Sequence, residues 1–332
     1  MKKFIILLAL LALFSCSEKT KSIEEIKAEF GSFENKTIKQ KPVDYTKTPI
    51  YNSIKHHPDD YTYLDKVDIS SIGHISDGLF LTGLIVEPKQ PGKYPVIIFN
   101  RGGNRDLGTL LIATAVNIMA PLAAEGYIVV ATNYRGNSRS EGKEQFGGED
   151  VNDIANLIQS MAEIEKADTS RVGLWGISRG GMMNYLTLKK SYSNNMKAVV
   201  NIGGIADLDL TIKHHPEIEQ VAAELIPNFE KERASEIQKR SAIHWVDELP
   251  KTAPILILHG MKDQHVAYSQ IPAFSDSLES YGVPFKSVSF QNGNHGIIEY
   301  KDEVRSHVKN WFDRYVKNSL EFDEPEFRLT VE

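Results

Sequence analysis

The chain has 332 residues and a single cysteine, so no disulfide can form within one molecule and the fold must rest on its packed core. It lacks any basic cluster: 38 Lys and Arg are dispersed against 44 Asp and Glu for a net charge of -6. Nucleic acid is thereby excluded as a partner, because phosphate binding needs clustered positive charge. No apolar run approaches the roughly 20 residues that span a bilayer. Two His-His pairs, His56-His57 and His214-His215, each sit in a Lys-His-His-Pro run, but neither has a third ligand type at helical spacing. They read as solvated loop histidines, and the chain calls for no metal or cofactor. Apolar residues make up 41% of the sequence, enough for a sizeable core in one large α/β domain with insertions or in two small domains.

The most informative stretch is Gly173-Leu174-Trp175-Gly176-Ile177-Ser178-Arg179-Gly180-Gly181. Glycines two before and two after Ser178 match the G-x-S-x-G pattern, in which a serine sits on a strand-to-helix turn too tight for neighbouring side chains. A buried-strand run (171–175) precedes it and a helical pattern follows, which is the context the motif requires. The amino end of that helix would aim free N–H groups where negative charge must develop, with the Arg179 N–H as one oxyanion donor.

Continuous apolar strands alternate with amphipathic helices from Tyr94 onwards. Strands are expected over 95–99, 127–131, 171–175, 198–202, 255–258 and 285–290, after a hairpin of 67–75 and 79–86. The expectation is an α/β-hydrolase fold, an about eight-stranded, mostly parallel, doubly wound sheet with helices on both faces and a helical cap insertion. The organisation expected is a signal peptide (1–15), a tether and N-terminal arm (16–60), a catalytic domain (61–318) with the cap at 205–248, and a C-terminal tail (319–332).

A serine hydroxyl needs a base, and the base needs a carboxylate to hold its tautomer. On such a sheet both come from loops after later strands. Asp263 follows the run Leu256-Ile257-Leu258-His259-Gly260, and His295 follows the next strand, giving the chain order Ser178, Asp263, His295 found in α/β-hydrolases. His265 is a rival base but crowds the acid, and is better placed as a wall of the cleft. His259 reads as a packed strand-end residue. The second oxyanion donor is expected from the N–H of Gly102 in the loop Asn100-Arg101-Gly102-Gly103-Asn104, with Arg101 and Tyr134 as further cleft walls.

Several stretches in register around this serine turn resemble the catalytic domain of the prolyl oligopeptidase family of serine peptidases, over about 67–316. They are Asn133-Tyr134-Arg135-Gly136 with Gly148-Glu149-Asp150-Val151-Asn152-Asp153, Arg240-Ser241-Ala242-Ile243, His259-Gly260 with Asp263 and Val266, and Asn294-His295-Gly296. The resemblance implies Ser178 as nucleophile, Asp263 as acid and His295 as base, acting on peptides through an acyl-enzyme. Two departures stand out. Arg101 occupies the position where family peptidases commonly carry a tyrosine, and fewer than about 70 residues precede the hydrolase strands, too few for the family's β-propeller. Gating would then fall to the cap, and dipeptide release loses weight. Arg135 reads as structural, bridging its strand end to the helix that carries Asp150 and Asp153.

The first residues, Met1-Lys2-Lys3 and then Phe4 to Phe14, form a basic start and a short apolar run, a secretion signal. Its end, Leu13-Phe14-Ser15-Cys16, resembles the cleavage box of bacterial lipoproteins. That implies a mature chain lipidated at Cys16 and held outside the cytoplasm, in the periplasm or at the outer membrane. The leading expectation is a serine peptidase. The alternatives are a carboxylesterase or carbohydrate acetylesterase using the same triad, and an anchored binding protein on an inactive fold.

Overall fold

The computed structural model describes residues 21–190, 196–322 and 329–331. The signal segment and Cys16 lie outside the described residues. Strands that read as unbroken apolar runs are buried on both faces: β4 (Tyr94–Asn100), β5 (Ile128–Thr132), β7 (Met196–Ile202), β8 (Ile255–Gly260) and β9 (Phe285–Phe290). With β1 (Ile38–Pro42), β2 (Val67–Ser76), β3 (Leu79–Pro88), β6 (Ala167–Ile177) and β10 (Leu329–Val331) they form one sheet in the order β1-β2-β3-β5-β4-β6-β7-β8-β9-β10. Strands from β5 to β10 in that order run parallel, whereas β1, β2, β3 and β5 pair antiparallel.

The helices are α1 (Ile23–Phe30), α2 (Tyr51–His56), α3 (Ile112–Thr114), α4 (Ala120–Ala123), α5 (Val151–Ser160), α6 (Arg179–Lys189), α7 (Leu208–His214), α8 (Glu217–Leu225), α9 (Phe229–Arg240), α10 (Gln270–Ser280) and α11 (Lys301–Phe312). A π-helical turn, Ala115–Met119, joins α3 to α4 just ahead of Pro121. That proline cannot donate to the Asn117 carbonyl one turn back, and the Arg305 guanidinium donates to it instead at 3.3 Å. One apolar layer lies under α5, α6, α10 and the 205–248 insertion, the other under α3, α4 and α11. The insertion holds α7, α8 and α9 between β7 and β8, so its single legible helix is one of three.

The sheet has ten strands among the described residues rather than eight. Both additions are edge strands from segments read as arm and tail. Residues 22–60 do more than tether: Ser22 and Glu25 form a capping box on α1, and β1 adds to β2. Lys39, Lys41 and Pro42 give β1 no alternating pattern, as suits an edge that must not recruit another strand. Phe30 and Phe33 pack on Phe80, with ring centroids 5.9 and 5.8 Å apart. Gly73 makes room for this contact, since a β-carbon there would stand 2.6 Å from the Phe80 ring.

The chain passes from β4 to β5 on one side and then to β6 on the other. This reversal opens a crevice at the carboxyl ends of β4 and β6, where ligands of such sheets bind.

Candidate active site

Ser178 ends β6 and begins α6 with φ 58° and ψ -124°, a conformation that costs a non-glycine residue about 1–3 kcal/mol. The flanking glycines are required by space. A β-carbon on Gly180 would lie 1.9 Å from the Asn100 carbonyl oxygen, and one on Gly176 2.4 Å from the Gly180 carbonyl oxygen. Beneath the turn, Asn100 Nδ2 donates to Asn184 Oδ1, and Asn184 Nδ2 donates to Asn201 Oδ1, each at 2.6 Å. This buried ladder ties the ends of β4 and β7 to α6.

Arg179 presents its backbone to the site and buries its side chain. The guanidinium pairs with Glu144 and Asp150 and stacks on Tyr134 and Phe146, at 4.7 and 4.8 Å from the ring centroids. Burial alone would lower its pKa, and the two carboxylates more than offset that. The side chains of Arg101 and Tyr134 do not wall the cleft. Both are buried, with the Arg101 guanidinium 5.0 Å from the Tyr134 ring centroid and donating to the carbonyls of Gly102, Arg105 and Leu107. The sequence pattern carries no side-chain direction, and both side chains turn inward. Arg101 braces the loop from within.

That loop lies directly on the serine turn: a β-carbon on Gly102 would stand 3.0 Å from both Ser178 Cβ and the Ile177 carbonyl oxygen. The N–H groups of Gly102 and Arg179 have no acceptor among the described residues. They are the free donors that an oxyanion site needs.

Asp263 is buried just beyond β8. Its Oδ1 accepts from the N–H of His265 at 2.8 Å and of Val266 at 2.9 Å. Its Oδ2 accepts from His295 Nδ1 at 2.7 Å and faces His259 Nε2 at 3.2 Å, a nitrogen that also lies 3.0 Å from the Val266 carbonyl. Burial would raise this carboxyl, but the hydrogen bonds from His259 and His295 and the Val266 N–H hold it well below the ordinary carboxylate range. With its Nδ1–H committed to Asp263, His295 keeps Nε2 free to accept a proton. Gly203 brings base and serine turn together. A β-carbon there would meet His295 Nδ1 at 3.1 Å, and the adjacent Ile202 carbonyl accepts the Ser178 N–H at 2.9 Å.

His265 lies beside the base, with ring centroids 5.0 Å apart, and His215 of the insertion stands 5.2 Å from His265. Burial, then the neighbouring imidazoles of His295 and His215, lower its pKa. His214 is exposed, yet its Nε2 lies 3.2 Å from the Asp263 carbonyl. The second His-His pair is therefore part of the mouth rather than a free loop, while His56 and His57 are exposed. Arg105 of the loop after β4 pairs with Glu224 on α8, so the insertion also touches the opposite rim. Sequence reasoning missed Glu144, Phe146, Glu224 and the link from His259 to Asp263. Only the spacing of His259 and Asp263 at i and i+4 could have flagged the last.

A parallel sheet with an antiparallel flank, a serine elbow at the switch point and an Asp-His pair on two later loops define an α/β-hydrolase. The sequence pattern of the prolyl oligopeptidase family matches residues 114–319, and the chain belongs to that family of serine peptidases. It is 28% identical over 229 residues to the uncharacterized peptidase YtmA of Bacillus subtilis, covering 69% of this chain and 86% of that one. It is 26% identical over 255 residues to dipeptidyl-peptidase 5 of Porphyromonas gingivalis, covering 72% of this chain but 36% of the relative. The acylaminoacyl peptidase of Pyrococcus horikoshii shares the fold with a TM-score of 0.68 at 24% identity, over 81% of this chain and 44% of that one. The chain thus spans less than half the length of these two larger proteins.

Proposed function

We propose that the protein hydrolyses peptide amide bonds through an acyl-enzyme on Ser178. His295 Nε2 takes the Ser178 proton as Oγ attacks the carbonyl carbon, Asp263 stabilises the resulting imidazolium, and the N–H groups of Gly102 and Arg179 bind the oxyanion. His295 then gives the proton to the leaving amine. A water activated by the same imidazole cleaves the ester and releases Ser178. The observation that carries this reading is the Asp263–His295 hydrogen bond on a loop held by Gly203 against the strained Ser178 turn. His265 and His215 then form a wall of the cleft, and α7 and α8 cover it.

One observation favours ester substrates as a second reading. The Arg101 guanidinium points into its own loop, so the oxyanion site has two backbone donors and no side-chain donor from that position. Esters, with better leaving groups, tolerate this more readily. A panel of aminoacyl and peptidyl anilides against short acyl esters and acetylated sugars decides between them. Amide turnover far above that of Ser178→Ala supports the peptidase, and ester turnover alone replaces it with the esterase. Ser178→Ala is expected to abolish fluorophosphonate labelling and to lower kcat by at least about three orders of magnitude. Labelling that persists removes Ser178 from the mechanism.

The lone cysteine behind a basic and then apolar start supports an extracytoplasmic lipoprotein anchored at Cys16.

A further inference from the structure

A cavity of about 590 Å³ lies behind the base loop, between the turn preceding α4, the end of β6 and α11. Leu122, Trp175, Ile177, Ile297, Val304 and Val308 form its apolar wall. The proposed reaction uses none of these side chains, although the segment Gly296–Ile298 that edges the cavity directly follows His295.

The charge along its rim shows what the cavity would take. Lys301 and Arg305 lie one turn apart on α11 and both line the cavity. Lys301 has no acidic partner among the described residues, and Arg305 bonds only the Asn117 carbonyl. Lys309, a turn further on, is held by Asp313 at 2.5 Å, and Glu125 lies 3.6 Å from it. Asp302 is the remaining acid of the lining. Two cations with no acidic partner call for an anionic oxygen, while the walls call for a hydrocarbon body of the size such cavities hold.

We propose that this cavity is a binding site for an apolar carboxylic acid, its carboxylate met by Lys301 and Arg305 and its chain lodged among Leu122, Trp175 and Val308. The site is separate from Ser178, and occupancy bears on the segment that carries His295.

The test is calorimetric titration of sodium decanoate into enzyme whose Ser178 has been blocked with a fluorophosphonate. If the protein resists that reagent, the unmodified enzyme serves equally. One decanoate should bind per chain. Affinity should rise about fourfold per methylene from hexanoate to decanoate, as burial of each group dictates. Decanol, with the same body and no charge, should bind at least about fivefold more weakly, and Lys301→Glu should weaken decanoate about tenfold. Leu122→Trp, which fills the cavity, should abolish binding. Should that variant not fold, a photoreactive decanoate must crosslink within 117–125 or 296–309. No saturable binding, equal binding of decanol, indifference to Lys301→Glu, or crosslinks confined elsewhere would each overturn the proposal.

Discussion

Asp263 receives donors on both carboxylate oxygens, and two of them are imidazoles. An amide in its place offers one oxygen, claimed by the N–H groups of His265 and Val266, and turns its NH2 group toward His295 Nδ1, so that ring loses its acceptor and can turn to the other tautomer. Asp263→Asn is therefore expected to keep the fold, by circular dichroism, while lowering kcat about 10³- to 10⁴-fold at pH 7. An unimpaired variant would point to another acid. At this scale the sequence was legible where chemistry restricts the residue type: a serine on a glycine-flanked turn, an acid and a histidine past later strands. It was not legible where a side chain's direction decides. Arg101 and Tyr134 have the right neighbours and the wrong orientation for a wall, and His259 packs as expected while also reaching the acid.

The elements followed from their patterns wherever a strand or helix has a fully buried face. β4, β5, β7, β8 and β9 read as apolar runs because helices cover both sides, and the carboxyl edge they define located the serine turn. β1 escaped because an edge strand is selected for charge rather than alternation. The neighbouring strands hold a further consequence. His74 of β2 is fully buried, donates from Nε2 to Thr132 Oγ1 at 2.7 Å, and has Nδ1 without a partner. Burial lowers its pKa to about 3. The unfolded chain protonates this residue near about 6.5, so between those values it binds more protons than the folded one and stability falls with pH. From pH 6.5 to 4, denaturant titrations should show the native protein losing about 3 kcal/mol more than His74→Gln. Equal losses would remove His74 as the cause.

For the whole molecule, the chain's domain matches relatives of very different length, from nearly all of YtmA to about a third of dipeptidyl-peptidase 5. The family is therefore readable from the shared strands and loops, whereas the segments that differ in length carry no such pattern. In this chain α7, α8 and α9 are the segment over the mouth, and only one of the three was legible, because α9 is mostly charged and exposed. Cys16→Ser should move the protein from the membrane fraction to the soluble one, and acyl-chain labelling of the native protein should be lost with it. A mature start found beyond Cys16 by mass spectrometry would rule the anchor out.

The two edge strands come from near opposite ends of the chain and close opposite margins of the sheet, nine strand spacings or about 43 Å apart. Under mechanical load applied through those ends, tension reaches β1 and β10 first, and each is bonded along one side only. They would peel away as sacrificial hems, while the strands that carry the serine turn and the Asp-His pair, bonded on both sides within the sheet, still hold.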